Sequence, residues 1–307
     1  MTKLYIGIDT SCYTTSLAVY DGEKLLNLRK ILSVKTGECG LRQSDAVFQH
    51  IKNLPELLSQ AKTEISFRNY DEITVSVASK PRNLPDSYMP VFTVGQSFGK
   101  SVAGVLGAEY KEFSHQEGHL MAALYSCGRT DLLGKEFLCY HLSGGTTELL
   151  KVGQDLSCEI IGGTLDIPAG QFIDRIGVLM GFDFPAGKFV DEMALSFDGD
   201  AKVSTAVKDS YINFSGEETR FRREIEAEED KGFVAYKTMK CISESIKKSI
   251  LNARETYKIN DIIMVGGVSS SKFLRNYLSD TKDIYFAEAQ FSTDNAVGTC
   301  LLGTLED

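Results

Sequence analysis

Two of the chain's four histidines, His115 and His119, stand four residues apart at the head of the apolar run 120–125. On a helix, residues at this spacing share a face about one turn apart, so both imidazoles can offer a nitrogen to one metal ion. The same spacing also suits two solvated imidazoles at an exposed helix start. A third histidine, His141, falls at a predicted strand end beside Ser143-Gly144-Gly145. Asp294 stands where a strand end meets a helix start, a place for a ligand-facing carboxylate and equally for an N-cap. A zinc-protease reading fails on Glu117. In His-Glu-x-x-His the glutamate follows the first histidine directly. Here it is two residues from each histidine, roughly 200° around the helix at ~100° per residue.

Elements of two kinds must position these groups. Residues 3–20 read as two strands joined by a tight turn, with Asp9 closing the first strand and small hydroxylated residues in the turn. Such a hairpin aims backbone N–H groups and hydroxyls at one point, which suits a phosphate. Residues 137–152 repeat the layout. An offset of 132 pairs Ser11 with Ser143, Thr14-Thr15 with Thr146-Thr147 and Leu17 with Leu149. Two such hairpins half a chain apart predict a duplicated domain with a cleft between its halves.

Between the hairpins, the spacing of Val47, Ile51, Leu54, Leu57 and Leu58 predicts a helix over 44–62. A strand over 72–78, a proline-rich loop over 80–89 and a small-residue helix over 95–106 follow. After the second hairpin, an amphipathic helix places Phe172, Ile176 and Leu179 on one face. It also carries Asp174 among apolar neighbours, where a charge needs a partner. The turn at Pro185-Ala186-Gly187 feeds a helix bearing Asp191. Residues 198–232 read as a polar, exposed segment, and a long helix runs over 232–257. Residues 261–271 read as a buried strand, then Gly266-Gly267, then a helix start at Lys272. Nucleotide binders use such a junction to bring backbone close to a ligand.

Composition narrows the function classes. At 307 residues, 43% of them hydrophobic, the chain has ample core. The apolar run at the N-terminus is too short for a signal peptide, and no 18-residue apolar span occurs, so a soluble, cytoplasmic protein with no membrane partner is expected. Seven scattered cysteines with no Cys-x-x-Cys pair argue against a disulfide framework or a cysteine-based zinc site. A net charge of −9 is unlike a free-standing nucleic-acid binder. The basic clusters at Arg220, Arg222 and Arg223 and at Lys237, Lys240, Lys247 and Lys248 read as solvated helix faces.

The constellation resembles the α/β, duplicated, two-lobed ATP-binding fold of the actin, hexokinase and sugar-kinase superfamily. Within it, the chain resembles the tRNA threonylcarbamoyladenosine synthase subunit family, also known as the O-sialoglycoprotein endopeptidase or glycoprotease family. The residues carrying the resemblance are Ile8-Asp9-Thr10-Ser11-Cys12, His115-Gln116-Glu117-Gly118-His119, Ser143-Gly144-Gly145-Thr146-Thr147, the 167–174 helix with Pro185-Ala186-Gly187, Gly266-Gly267-Val268 and Thr293-Asp294-Asn295. They occur in the family's order across most of the chain.

The resemblance implies an N-terminal lobe over 1–110 and a C-terminal lobe over 111–307 carrying metal and nucleotide, with a linking helix near 115–126. It implies His115, His119 and Asp294 as ligands of one divalent metal, iron or zinc, with His141 as a further ligand where some members have tyrosine. Leu142, Ser143, Gly144, Gly145, Asp174, Gly187, Asp191, Gly266, Gly267 and Ser271 would hold ATP, AMP or threonylcarbamoyl-AMP. The implied reaction moves the threonylcarbamoyl group from threonylcarbamoyl-AMP to N6 of the adenosine beside the tRNA anticodon. Partners would be the family's other subunits or a homologous sister chain in a dimer, with tRNA bound only through them. The chain departs from the family in three places. Tyr13-Thr14 replaces an Asp-Glu pair, residues 79–85 replace a Gly-Pro-Gly loop, and Ser271 replaces asparagine. A divergent paralogue, or a degenerate scaffold for an active homologue, follows from those changes.

Overall fold

The computed structural model describes residues 1–11, 13–34, 41–291 and 294–305, so Cys12, Cys39, Ser292 and Thr293 lie outside it. The chain divides into two compact units, residues 1–130 with 290–307, and residues 131–289.

The first unit is built on a five-stranded sheet. Its strands are β1 (Lys3–Ser11), β2 (Thr14–Tyr20), β3 (Leu25–Ile31), β4 (Glu72–Lys80) and β5 (Glu109–Ser114), in the order β3-β2-β1-β4-β5. The β1-β2-β3 meander is antiparallel, and β4 and β5 join in parallel. Leu4, Ile6, Ile8, Leu17, Val19, Val75 and Val77 are fully buried. Such near-continuous apolar runs are what strands covered on both faces require. Helices α1 (Gln43–Glu64), α2 (Pro90–Leu106) and α3 (His115–Ser126) complete the N-terminal part. Helix α2 starts at Pro90, ahead of the expected 95, because proline at the first helical position gives up an N–H that has no intrahelical partner.

The second unit repeats the plan. Its strands are β6 (Phe137–Leu142), β7 (Thr147–Val152), β8 (Cys158–Thr164), β9 (Ala206–Lys208), β10 (Tyr211–Asn213), β11 (Ile262–Val265) and β12 (Ile284–Phe286). The sheet runs β12-β11-β6-β7-β8-β10-β9, and its first five strands mirror the first sheet in order and direction. The registers match too. Ser11 pairs with Thr14 at the end of the first hairpin, and Ser143 donates its N–H to the Thr146 carbonyl at 2.8 Å at the end of the second. The offset of 132 therefore describes a structural repeat.

Helices α4 (Ala169–Leu179), α5 (Gly187–Ser196), α6 (Ser215–Glu226), α7 (Lys231–Tyr257) and α8 (Lys272–Leu278) cover this sheet. Two expectations are corrected here. Leu179, placed on the buried face of α4, is exposed at the helix end; Ile173 and Gly177 complete the stripe, and Met180 takes the buried place beyond. Residues 198–232, expected to be polar and exposed, are mostly so, but β9, β10 and α6 lie within them and bury part of the segment. Phe214 and Phe221 are fully buried against Phe172, with centroids 5.6 and 6.0 Å away, while most of the charged residues, Glu218 excepted, face outward.

The chain then returns to the first unit as α9 (Val297–Leu302). The expected boundary at 110, with the histidine helix in the C-terminal lobe, is thereby corrected. Glycines explain the arrangement. A Cβ on Gly298 would stand 1.7 Å from the Gly118 carbonyl oxygen, and one on Gly7 would meet Ala296 and Cys300 at about 2.5 Å. Helices α3 and α9 cross at backbone contact, with α9 also pressed on β1. Among the described residues, no helix is long and apolar enough to cross a membrane.

Candidate metal centre and nucleotide pocket

Helix α3 begins at His115 because Ser114 caps it. Ser114 Oγ accepts the Glu117 N–H at 3.2 Å, and the Glu117 carboxylate accepts the Ser114 N–H at 2.6 Å. This reciprocal capping box satisfies two otherwise unpartnered donors and fixes the start of the helix. Glu117 is spent on the cap, consistent with its direction away from the histidine face.

The face so fixed brings three donors together. His115 Nε2 and His119 Nε2 are 2.9 Å apart, and Asp294 Oδ1 lies 3.6 Å from the first and 3.5 Å from the second. Metal–ligand bonds of about 2.0–2.1 Å place neighbouring donors roughly 2.9–3.4 Å apart, close to this triangle. The set fits one metal ion. Asp294 is delivered by the close α3–α9 crossing. The capping alternative for it falls away, because the first residue before α9 is Ala296 and Asn295 Oδ1 accepts the Val297 N–H at 3.0 Å.

Behind His115 stands a partner that spacing alone did not reveal. Asp9, 1% exposed, holds His115 Nδ1 at 2.6 Å through Oδ2 and accepts the Ser11 N–H at 2.8 Å through Oδ1. A carboxylate on the far nitrogen fixes the tautomer and aims Nε2 outward. Phe92 packs tilted against the ring, with centroids 5.8 Å apart. Burial alone would lower the His115 pKa, but the Asp9 carboxylate and then Asp294 outweigh it and raise the value. Burial alone would raise the Asp294 pKa; the His119 hydrogen bond and the two imidazoles outweigh it and hold the carboxyl near about 2. In the sequence Asp9 stood out only as an acidic residue closing the first strand and as part of a motif that carries the resemblance; neither pairs it with His115.

His50 was also missed. It is fully buried on α1, with Nδ1 2.8 Å from Thr15 Oγ1. Burial drives its pKa down to about 4.

The second unit carries a cavity of about 710 Å³ lined by Gly144, Asp174, Gly187, Asp191, Gly267 and Ser271, among other residues. Of the remaining residues expected to hold a ligand, Leu142, Ser143, Gly145 and Gly266 do not line it. Leu142 is fully buried on β6. Gly266 has φ +92°, and a Cβ there would meet the Leu142 carbonyl oxygen at 2.2 Å. It shapes the junction without touching the cavity. Asp174 found its partner in the Ala186 N–H, at 2.8 Å, which pins the turn before α5. Asp191 accepts the N–H groups of Lys272 and Phe273 at 3.0 and 3.2 Å and the Ser271 hydroxyl, so it anchors the start of α8. Ser271 in turn accepts the Leu274 N–H at 3.0 Å as the cap of α8. His141 lies on β6 in this unit, while His115, His119 and Asp294 belong to the first.

The basic clusters are largely neutralised. Arg220, Arg222, Lys237, Lys240 and Lys248 pair with Glu217, Glu218, Glu224, Asp200 and Glu244 respectively.

The family model for tRNA N6-adenosine threonylcarbamoyltransferase (TsaD) matches residues 31–299. The chain belongs to this family. It is 27% identical to the tRNA N6-adenosine threonylcarbamoyltransferase of Riemerella anatipestifer, over 99% of this chain and 93% of that protein. Identity to the protein of the same name from Thermotoga neapolitana is 28%, over 95% and 90%. Among solved structures, full-length HypF in its phosphate- and nucleotide-bound form superposes with a TM-score of 0.59 at 13% identity, covering 98% of this chain and 54% of that one. Component A of the Acidaminococcus fermentans (R)-2-hydroxyglutaryl-CoA dehydratase gives 0.52 at 13%, covering 98% and 97%. These establish the fold, a duplicated α/β architecture with one sheet in each unit. Set in the TsaD family, the departures acquire positions: Tyr13 is half exposed at the β1–β2 turn, and Thr14 is buried at the start of β2.

Proposed function

We propose that this chain transfers the threonylcarbamoyl group from threonylcarbamoyl-AMP to N6 of the adenosine beside the tRNA anticodon, with one divalent metal, iron or zinc. The observation that carries this reading is the convergence of His115, His119 and Asp294 in a chain of the TsaD family. A metal bound there supplies a Lewis acid that polarises the acyl carbonyl and holds the donor. Nitrogen and oxygen donors suit either metal.

The chain's own residues set up the rest. Asp9 holds the His115 ring in the tautomer that leaves Nε2 free. In the second unit, Ile173, Met239 and Val268 offer the adenine an apolar wall, while Gly144, Gly267 and Lys272 offer the phosphate backbone N–H groups and a cation. Attack of N6 on the carbonyl carbon forms the new C–N bond, the C–O bond to AMP breaks with the electron pair leaving on phosphate, and the proton lost from N6 passes to solvent. With net charge −9 and most basic clusters paired, tRNA reaches the chain through the family's partner subunits, in the cytoplasm.

A second reading is favoured by one observation. Tyr13 and Thr14 stand where the family has Asp-Glu, and the half-exposed Tyr13 adds bulk at the hairpin turn. On this reading the chain is a metal- and nucleotide-binding scaffold that dimerises with an active sister.

One experiment separates the two. Metal-loaded protein is assayed with threonylcarbamoyl-AMP, tRNA and the partner subunits, beside calorimetric titration with ATP and AMP. Product formation that is lost in His119→Ala supports the transferase. Nucleotide and metal binding without product supports the scaffold.

A further inference from the structure

Three phenylalanines stand on or beside the turn that joins α4 to α5, and two of them are paired. Phe182 and Phe189 stack with centroids 5.2 Å apart and planes 11° from parallel. Phe184, between them in sequence, has no ring partner among the described residues and is 76% exposed. It lines the cavity of the second unit. Its backbone is held from two sides. Asp174 accepts the Ala186 N–H at 2.8 Å. Ala186 is fully buried, and a Cβ on Gly177 would stand 2.4 Å from the Ala186 Cβ, so the turn is seated directly on α4. A single exposed phenylalanine on an open surface needs no explanation. One fixed in the wall of a cavity of about 710 Å³ is a surface for whatever the cavity holds.

The polar groups of that cavity, the Gly144 and Gly267 backbone and the Lys272 cation, suit a phosphate and would take a bare sugar phosphate equally well. A ring adds what they lack. Its flat face gains most from a flat partner, as aromatic side chains do when nucleobases stack on them. We infer that Phe184 is a specificity-determining residue of this cavity, its ring stacking on the purine of a bound nucleotide and so separating nucleotides from sugar phosphates without a base. This rests on the nucleotide reading above, and the test keeps the two separable.

The chain contains no tryptophan, so Phe184→Trp creates a sole fluorescent reporter at the position in question. AMP is titrated into the wild-type chain, Phe184→Ala and Phe184→Trp by calorimetry, with thermal unfolding recorded for each and ribose 5-phosphate as the control ligand. Phe184→Ala is expected to weaken AMP binding about 5–100-fold with unfolding unchanged, and Phe184→Trp to keep wild-type affinity. AMP is expected to quench the tryptophan emission of that variant, and ribose 5-phosphate at the same concentration to leave it as it was. Phe184→Ala with wild-type affinity for AMP overturns the inference. An emission that saturating AMP does not change, or that ribose 5-phosphate changes equally, overturns it as well, and this second readout holds even if the alanine variant unfolds. Wild-type protein that binds neither AMP nor ATP removes the nucleotide reading and this inference together.

Discussion

The two hairpins share one register and have been put to different uses. In the first, β1 ends in Asp9-Thr10-Ser11, and its carboxylate reaches back to hold a histidine ring. In the second, the same offset places His141, Leu142 and Ser143, followed by Gly144, which lines a cavity. One copy presents charge to a metal-ligand set; the other presents bare backbone to a space the size of a nucleotide. The comparison teaches that the repeat supplies a rigid strand end aimed at a fixed point. The chemistry is decided by the two or three residues placed there.

The sharpest break in this division is at the donor set. Replacing His119 or Asp294 by alanine is expected to abolish stoichiometric metal retention and transferase activity, read by elemental analysis and tRNA assay. Next, Asp9→Asn is expected to weaken metal binding about 10–100-fold, while His141→Gln at the matching position of the second copy leaves it unchanged. Equal losses would make His141 a fourth ligand and erase the distinction between the copies. In the second unit, Asp191→Ala removes the acceptor for two N–H groups and a hydroxyl. It is expected to destabilise the protein by about 1–3 kcal/mol in denaturant unfolding and to weaken nucleotide binding.

One pH effect belongs to the first unit. His50 has a folded pKa near 4 against an ordinary 6.5, so the unfolded chain binds the proton more readily. Its contribution is fully present above pH 6.5 and is lost as pH falls from there through 4, on the order of 3 kcal/mol. His50→Gln is expected to flatten the stability profile over that window. The smallest effect expected is at the departed turn. Tyr13→Asp with Thr14→Glu should raise transferase activity, and an unchanged rate would show those carboxylates to be dispensable here.

Much of this was legible in sequence because it is local or repeated. The His115–His119 pair, the outward direction of Glu117 and the offset of 132 all follow from helical and strand periodicity. What was not legible depends on distant chain segments. Asp9 and His115 are 106 residues apart, and Asp191 meets α8 some 80 residues away, so neither pairing leaves a local pattern. Asp191 was expected to face a ligand; it lines the cavity but spends its carboxylate on anchoring a helix. Residues 198–232 looked wholly exposed because α6 is charged on its outer face, which hides the buried Phe214 at its start and Phe221 within it.

The central claim is that His115, His119 and Asp294 converge on one metal ion. X-ray absorption spectroscopy on freshly purified protein, with metal quantified on the same sample, tests it most directly. The account predicts one metal per chain, coordinated by two imidazole nitrogens and at least one oxygen at about 2.0–2.2 Å, and lost in Asp294→Ala. Protein that binds no metal, or whose metal environment is unchanged in Asp294→Ala, contradicts it.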